Sequence, residues 1–526
     1  MDRRNFLSTA FLGGLSGATM AAATGRLAAR TIQHDPFGLG VASGSPSLDG
    51  VVLWTRLMPA PGGEPLPQSP IEVRWELSAT PDFRQLRQSG SLLALPEEAH
   101  SVHLEVQGLV APEHSNEDPH FWYRFMVGDA VSRVGRTRLL PAPGSRQPLT
   151  LALASCQNYE HGFFGAYRHM AQEPLDCVLF VGDYIYEYGI TPNRTRQHNS
   201  SACHSLDEYR ARYALYKSDA DLQTAHAAFA WLMMWDDHEV ENDYANDRAA
   251  SGRGPGFLLR RAAAYRAYWE HLPLREAQRP RGPDADLFRR YAWGQTATLH
   301  LLDARQYRDH QVCTPADQGG SRTVFDATCP ERLQTHSSLL GTRQERWLEQ
   351  GLQTSQASFE IIGQASIMAQ MRMPSTRSTE AAAAATGDAF WNDSWDGYPL
   401  ARRRALDQWA QKKNVLSLGG DVHATYVSDL VVDFDDPKAP ALATEVVGTS
   451  ISSPSWPQAV TERVLGYNPH MHFGKSDRRG YTVLEVRGAR ATAHMRVIAD
   501  ARTPQSTVST AASFAVDSGR PGAQRI

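Results

Sequence analysis

Val178-Leu179-Phe180-Val181-Gly182-Asp183-Tyr184-Ile185-Tyr186 carries a short apolar run into a carboxylate and then, three residues on, a phenol. Three further stretches repeat the pattern. Leu151 to Ala154 runs into Ser155-Cys156-Gln157, and Phe229 to Trp235 runs into Asp236-Asp237-His238-Glu239-Val240-Glu241-Asn242. Val415 to Leu418 runs into Gly419-Gly420-Asp421-Val422-His423. Each apolar run reads as a strand, and an α/β sandwich gathers such strand ends at one rim. Four ends rich in metal-seeking groups therefore predict one polynuclear metal site.

The ligand types narrow the metals. Asp183 offers two oxygens and can bridge two cations. Tyr186 becomes a phenolate ligand only under a strongly Lewis-acidic ion, and Cys156 adds a soft thiolate. Phenolate, thiolate, carboxylate and imidazole together suit ferric iron better than magnesium. Asn242 and Asp421 are hard oxygen donors of the kind calcium or magnesium takes. Taken singly, each motif has a plainer reading: Tyr186 as core cover, Cys156 as an inert buried thiol, Asp421 and His423 as a satisfied loop pair. The acidic run is harder to dismiss, because ionisable groups stacked behind Trp231-Leu232-Met233-Met234 are costly unless something compensates them. Joint occurrence decides for a metal site.

Composition sets outer bounds. The chain has 526 residues, 42% hydrophobic content and a formal net charge of −4. It is long enough for more than one domain, and its charge argues against a protein that coats nucleic acid. A stable nucleic-acid complex is not expected. No apolar run reads as a membrane span of the mature protein. Asp2-Arg3-Arg4-Asn5-Phe6-Leu7, followed by a small-residue apolar stretch to Ala23, resembles a twin-arginine export signal over residues 1–30. An ordinary signal peptide is the alternative. Export by the twin-arginine machinery would place the protein in the periplasm or outside the cell. Of the five cysteines, Cys313 and Cys329 flank a polar loop and could pair in an oxidising compartment, Cys177 belongs to a core, and Cys203 has no evident partner.

Two regions separate by pattern. Residues 36–142 show short alternating strands, among them Val51 to Trp54, Ile71 to Leu77 and Phe121 to Phe125, punctuated by Pro and Gly clusters. They read as a small all-β sandwich of immunoglobulin or fibronectin type. After a Pro-Ala-Pro-Gly linker at 141–144, residues 148–500 alternate strands with helices in α/β fashion. Leu258 to Leu272 has helical spacing, and Thr342-Arg343-Gln344-Glu345 has the spacing of a capping box. The Ala/Thr-rich stretch at 375–387 reads as a surface loop, and 501–526 as a tail packing on or near the α/β domain. There is no internal repeat.

Taken together these motifs resemble the PhoD-type alkaline phosphatases, within the wider calcineurin-like and purple-acid-phosphatase-like metallophosphoesterases. Ala154-Ser155-Cys156-Gln157, the Tyr209 to Asp219 segment, the Trp235 to Asn242 run, Trp395-Asp396-Gly397-Tyr398-Pro399 and Gly419 to His423 carry the resemblance, which covers nearly the whole chain. It implies a four-layer α/β metallophosphoesterase sandwich behind the small immunoglobulin-like domain. It also implies one ferric iron on Cys156, Asp183, Tyr186 and His423, and one or two calcium ions on Asp183, Asn242 and Asp421, with Asp183 bridging. The wider superfamily's Gly-Asn-His-Asp/Glu motif aligns ambiguously here. Asp237 falls on its metal-binding Asn and His238 on the histidine that contacts phosphate. Asn242 is kept as the calcium ligand ahead of Asp237, and Asp237 and His238 are the catalytic candidates.

The implied activity is that of an exported alkaline phosphatase and phosphodiesterase serving phosphate acquisition. Phosphomonoesters and phosphodiesters would be hydrolysed through attack of a metal-activated hydroxide or oxide. The alternative is a phospholipase D-type phosphodiesterase releasing a lipid or teichoic-acid head group. A binding protein with a dead phosphatase-like domain is opposed by the presence of all six metal positions.

Overall fold

The computed structural model describes residues 34–110, 119–250, 252–315, 318–334, 336–373, 388–412 and 414–526. The expected export signal at 1–30 and the loop at 375–387 lie outside these residues. Two large sheets dominate. Across the first, neighbouring strands are Arg520–Arg525, Val508–Asp517, Arg490–Ile498, Arg479–Arg487, Leu149–Ala154, Cys177–Val181, Ala230–Met234, Val41–Gly44, Val51–Arg56 and Ser101–Val106. Across the second they are Arg289–Trp293, Ala297–Leu301, Phe359–Gly363, Val415–Gly419, Ala441–Val447, Thr425–Val431 and Met471–Lys475.

The strands that lead to the predicted site are buried on both faces, and apart from the antiparallel pairing of Leu149–Ala154 with Arg479–Arg487 they run parallel to their neighbours, which is why they read as unbroken apolar runs. Leu151, Leu153 and Leu179 of the first sheet share one core with Leu299, Leu301, Leu416 and Leu418 of the second. Gly363 lets the sheets approach, since a Cβ there would sit 3.2 Å from the Leu179 side chain. On the outer face of the first sheet, Phe180 and Trp231 pack with Tyr167, Tyr213 and Tyr268 of its covering helices. On the outer face of the second, Ile362 and Val415 pack with Leu348, Leu352, Leu406 and Trp409 of helices Gly341–Thr354 and Pro399–Trp409. The result is four layers: helices, sheet, sheet, helices.

The N-terminal sandwich shares a layer with this body. Val41–Gly44 pairs in parallel with Ala230–Met234, and Val51–Arg56 and Ser101–Val106 continue outward from it. Facing these three strands is a separate sheet built on Ile71–Ser78 and His120–Val127. Val51, Leu53, Val73, Leu77, Phe121 and Tyr123 fill the space between. Gly44 makes the junction possible, because a Cβ would fall 2.6 Å from the Trp231 carbonyl.

The segment read as a tail forms the two outermost strands on one side of the first sheet, Val508–Asp517 and, at its edge, Arg520–Arg525. The second reaches across to the other sheet, where Gly522 N–H donates to Thr444 Oγ1 at 3.1 Å and Ala523 N–H to Asp429 Oδ1 at 3.2 Å. The capping box expected at Thr342 is displaced. Helix Gly341–Thr354 begins before Thr342, and Ser338 serves its start. The Ser338 hydroxyl accepts from Gly341 N–H at 2.8 Å and donates to Glu345 at 2.6 Å. Cys313 and Cys329 form a disulfide, while Cys156, Cys177 and Cys203 are free and buried.

Candidate metal centre

The strand ends are held in strained backbone. Cys156, Asp183, Asp421 and His423 have φ of 58°, 59°, 66° and 54°, in the left-handed region that costs a non-glycine residue about 1–3 kcal/mol. Asp243 joins them at 57°. Such strain persists where surrounding contacts over-determine it, and those contacts are present. Cys156 N–H donates to the Gly182 carbonyl and Gln157 N–H to the Asp183 carbonyl, both at 3.1 Å, which ties the first strand end to the second. The buried Glu239 carboxylate accepts from the N–H groups of Asp183 at 3.2 Å, Tyr184 at 2.6 Å and Asp236 at 2.8 Å, which ties the second to the third.

Three sets of donor atoms result, each with its atoms within 4.8 Å of one another: Cys156, Asp183 and His423; Asp183, Asp237 and His238; and Asp237, Asp243 and Asp393. Asp183 belongs to the first two. Tyr186 stands in the first, its Oη 2.8 Å from Asp183 Oδ2 and 3.1 Å from His423 Nε2. His423 Nδ1 is 2.8 Å from the Pro454 carbonyl, which leaves Nε2 for the centre. Ser453 Oγ lies 2.7 Å from Tyr186 Oη and 2.9 Å from the Cys156 carbonyl.

The chemistry of these groups fits bound cations. Asp183 Oδ1 and Asp236 Oδ2 are buried without any hydrogen-bond partner, a costly state for a carboxylate oxygen unless a cation completes it. Burial, reinforced by the Asp183 charge, pushes the Cys156 thiol and the Tyr186 phenol well above their ordinary pKa. Burial and then Asp236 do the same to Asp421, whose carboxyl also faces Asp237, Asp393 and Arg305. Crowded donors that resist ionising together are what a multivalent cation would relieve.

Asn242 stands differently. It is exposed, its amide donates to Asp243 Oδ2 at 2.7 Å, and its N–H donates to Glu187 at 2.8 Å. Asp237, by contrast, contributes to two donor sets.

Several residues not singled out in the sequence complete the site. Glu187 Oε2 lies 2.7 Å from His238 Nδ1. Burial alone would depress the His238 pKa, but Glu187, Asp237 and Asp183 outweigh it and raise it well above the ordinary value. Arg305 bonds Asp236, contacts Asp393 at 2.8 Å and lies 3.6 Å from Asp237. Arg308 reaches Asp393 at 3.2 Å. Burial pushes Asp236 up to about 8 against the pull of Arg305. Asp237 is drawn below the usual carboxylate range, because Arg305 and His238 outweigh its burial. One signal for Arg305 was in plain sight: Asp303-Ala304-Arg305 closes an apolar strand just as the other site residues do.

Residues 151–495 match the PhoD-like phosphatase family, and residues 20–141 match the N-terminal domain of PhoD-like phosphatases. The chain belongs to the PhoD-like phosphatase family. Alkaline phosphatase D of Bacillus subtilis (strain 168) is 42% identical over 545 residues, covering 100% of this chain and 89% of the relative. The solved structure of PhoD superposes with a TM-score of 0.85 at 41% identity, covering 94% of this chain and 92% of that one. A purple acid phosphatase from yellow lupin seeds shares the fold alone, with a TM-score of 0.52 at 11% identity over 92% of this chain and 74% of that one. The expected family, the α/β fold class and the assignment to the phosphatase hydrolases all hold. Among the described residues no helix is long and apolar enough to cross a membrane.

Proposed function

We propose that this chain is an exported alkaline phosphatase with phosphodiesterase activity alongside, working at a centre of one ferric iron and one or two calcium ions. Cys156, Asp183, Tyr186 and His423 would hold iron. Asp183 and Asp421 would hold calcium, with Asn242 and the better-gathered Asp237 as its further oxygen donors. The observation that carries this reading is Asp183 itself: it stands in two donor sets at once, with Oδ1 buried and unpartnered. When bound, the cations would neutralise phosphoryl charge and lower the pKa of a bound water toward neutrality.

The chain's own groups do the rest. His238, hydrogen-bonded by Glu187 and raised in pKa against its burial, donates a hydrogen bond to the phosphoryl group or a proton to the leaving oxygen. Glu239 holds the Asp183 and Asp236 turns in place, and Arg305 orients Asp236, Asp237 and Asp393. Export through the twin-arginine route rests on Arg3, Arg4 and Phe6, and the Cys313–Cys329 disulfide suits an oxidising compartment. The 42%-identical relative from Bacillus subtilis carries the name of an alkaline phosphatase, which favours this reading over head-group release of phospholipase D type.

The test is hydrolysis of p-nitrophenyl phosphate and its bis-ester at alkaline pH, with a calcium chelator and after calcium is restored. Loss on chelation and recovery with calcium supports the proposal, and the ratio of the two rates ranks monoester against diester. Full activity in the chelator would overturn the calcium assignment. Preferential release of choline from phosphatidylcholine would move the assignment to the phospholipase reading.

A further inference from the structure

Arg479 opens the Arg479–Arg487 strand and is buried at 8% exposure. Among the described residues it makes no ion pair. Its guanidinium is instead spent on oxygens of the site's own loops. Nη1 donates to the His423 carbonyl at 2.6 Å, the Ser453 carbonyl at 2.7 Å and Ser450 Oγ at 3.0 Å, and Nη2 donates to the Ser476 carbonyl. A buried cation with no carboxylate in contact, only the longer-range pull of Asp477, is expensive, so its retention asks for a reason beyond packing.

Two of the three carbonyls it joins belong to residues that face the centre. His423 presents Nε2 to Tyr186 Oη, and Ser453 presents Oγ to the same phenol. Ser450 Oγ also donates to the Ser453 carbonyl, so three of these contacts converge on one short loop. The backbone of His423 sits at φ 54°, a conformation that needs outside support. Lysine could supply the charge but not the planar fork that reaches several oxygens in fixed directions.

We infer that Arg479 is a positioning residue of the metal centre: by clamping the His423 and Ser453 carbonyls it sets the imidazole and the serine hydroxyl against the Tyr186 phenol, on the Cys156 side of Asp183. The inference rests on the proposed iron set of Cys156, Asp183, Tyr186 and His423. Loss of an outer support of a metal ligand typically weakens metal binding about 10–100-fold.

The test uses purified full-length protein carrying Arg479→Gln, Arg479→Lys or Ser453→Ala. Three quantities are read: iron per chain after challenge with a ferric chelator, the tyrosinate-to-iron absorption band, and the thermal midpoint. The expected result for Arg479→Gln is at least about tenfold weaker iron retention, with Arg479→Lys intermediate. Ser453→Ala, which leaves Arg479 untouched, should keep iron but shift the band, because the phenol loses a hydrogen-bond partner. A lowered midpoint with unchanged iron retention and band in both Arg479 variants would reduce Arg479 to a structural role and overturn the inference. If the Arg479 variants do not fold, an unshifted band in Ser453→Ala overturns it alone. Wild-type protein that holds no iron and shows no band would overturn the ligand set first, and this inference with it.

Discussion

Glu187 Oε2 lies 2.7 Å from His238 Nδ1, while the His238 ring packs tilted against that of Tyr186, their centroids 4.1 Å apart. The contact fixes which way the imidazole faces and makes its cationic form the favoured one.

For the metal-free protein this pairing has a definite pH signature. The folded pKa of His238 is raised above the unfolded value of about 6.5. Its contribution to stability is therefore complete below about pH 6.5 and fades as the pH rises through the raised folded value. Glu187→Gln should destabilise the metal-free protein most at pH 6 and least at strongly alkaline pH. Urea denaturation at several pH values measures the difference, and NMR titration should show His238 protonating at lower pH in the variant.

Arg305 compensates buried carboxylates, so Arg305→Met should leave Asp236, Asp237 and Asp393 short of their cation. Breaking one side of a buried ion pair costs about 3–5 kcal/mol. The loss should be largest at alkaline pH, where Asp236 and Asp237 are ionised, and should shrink on acidification as Asp236, already raised by burial, takes up its proton. Denaturation midpoints at pH 9 and pH 5 compare the two.

Leu418 is fully buried between the facing sheets. Leu418→Ala should cost about 2–5 kcal/mol, the transfer term plus a cavity that close-packed sheets cannot collapse. Its change in urea midpoint at unchanged slope would identify a stability effect alone.

The disulfide between Cys313 and Cys329 closes a loop with a sequence separation of 16. Within that loop Ser321 Oγ donates to Asp243, and just beyond it Arg332 bonds Asp326 and the Asp396 carbonyl. Replacing both cysteines by alanine should cost about 3 kcal/mol of loop-closure entropy. It should also loosen Asp243 more than Asp183, which hydrogen exchange around residues 243 and 183 reports.

Much of the candidate centre's clustering was legible because burial leaves a trace in sequence. Cys156, Asp183, Asp237 and His423 each stand just past an apolar run, and parallel strands buried on both faces allow few other places for such groups. Glu239 was visible in the same acidic run, but its role was not, since accepting three N–H groups depends on how two turns meet in space. Asp393 follows only a short strand, Ala389–Trp391, so no long apolar run announced it. The shared layer of the N-terminal sandwich was hidden for a related reason: Val41–Gly44 says that it is a strand, not which distant strand it pairs with. Thr342 misled because capping spacing is a two-residue signal, and Ser338 met the same need from a better angle.

The claim on which all else depends is that Asp183 joins two metal positions, with iron on the Cys156 side. Anomalous diffraction from crystals of the natively loaded enzyme, recorded above and below the iron edge, tests it most directly. The account predicts an iron peak within bonding distance of Cys156 Sγ, Tyr186 Oη, His423 Nε2 and Asp183. It also predicts a second, non-iron peak on the far side of the same Asp183 carboxylate. A single metal that leaves Cys156 and Tyr186 unligated, or an iron peak away from these four residues, would contradict it.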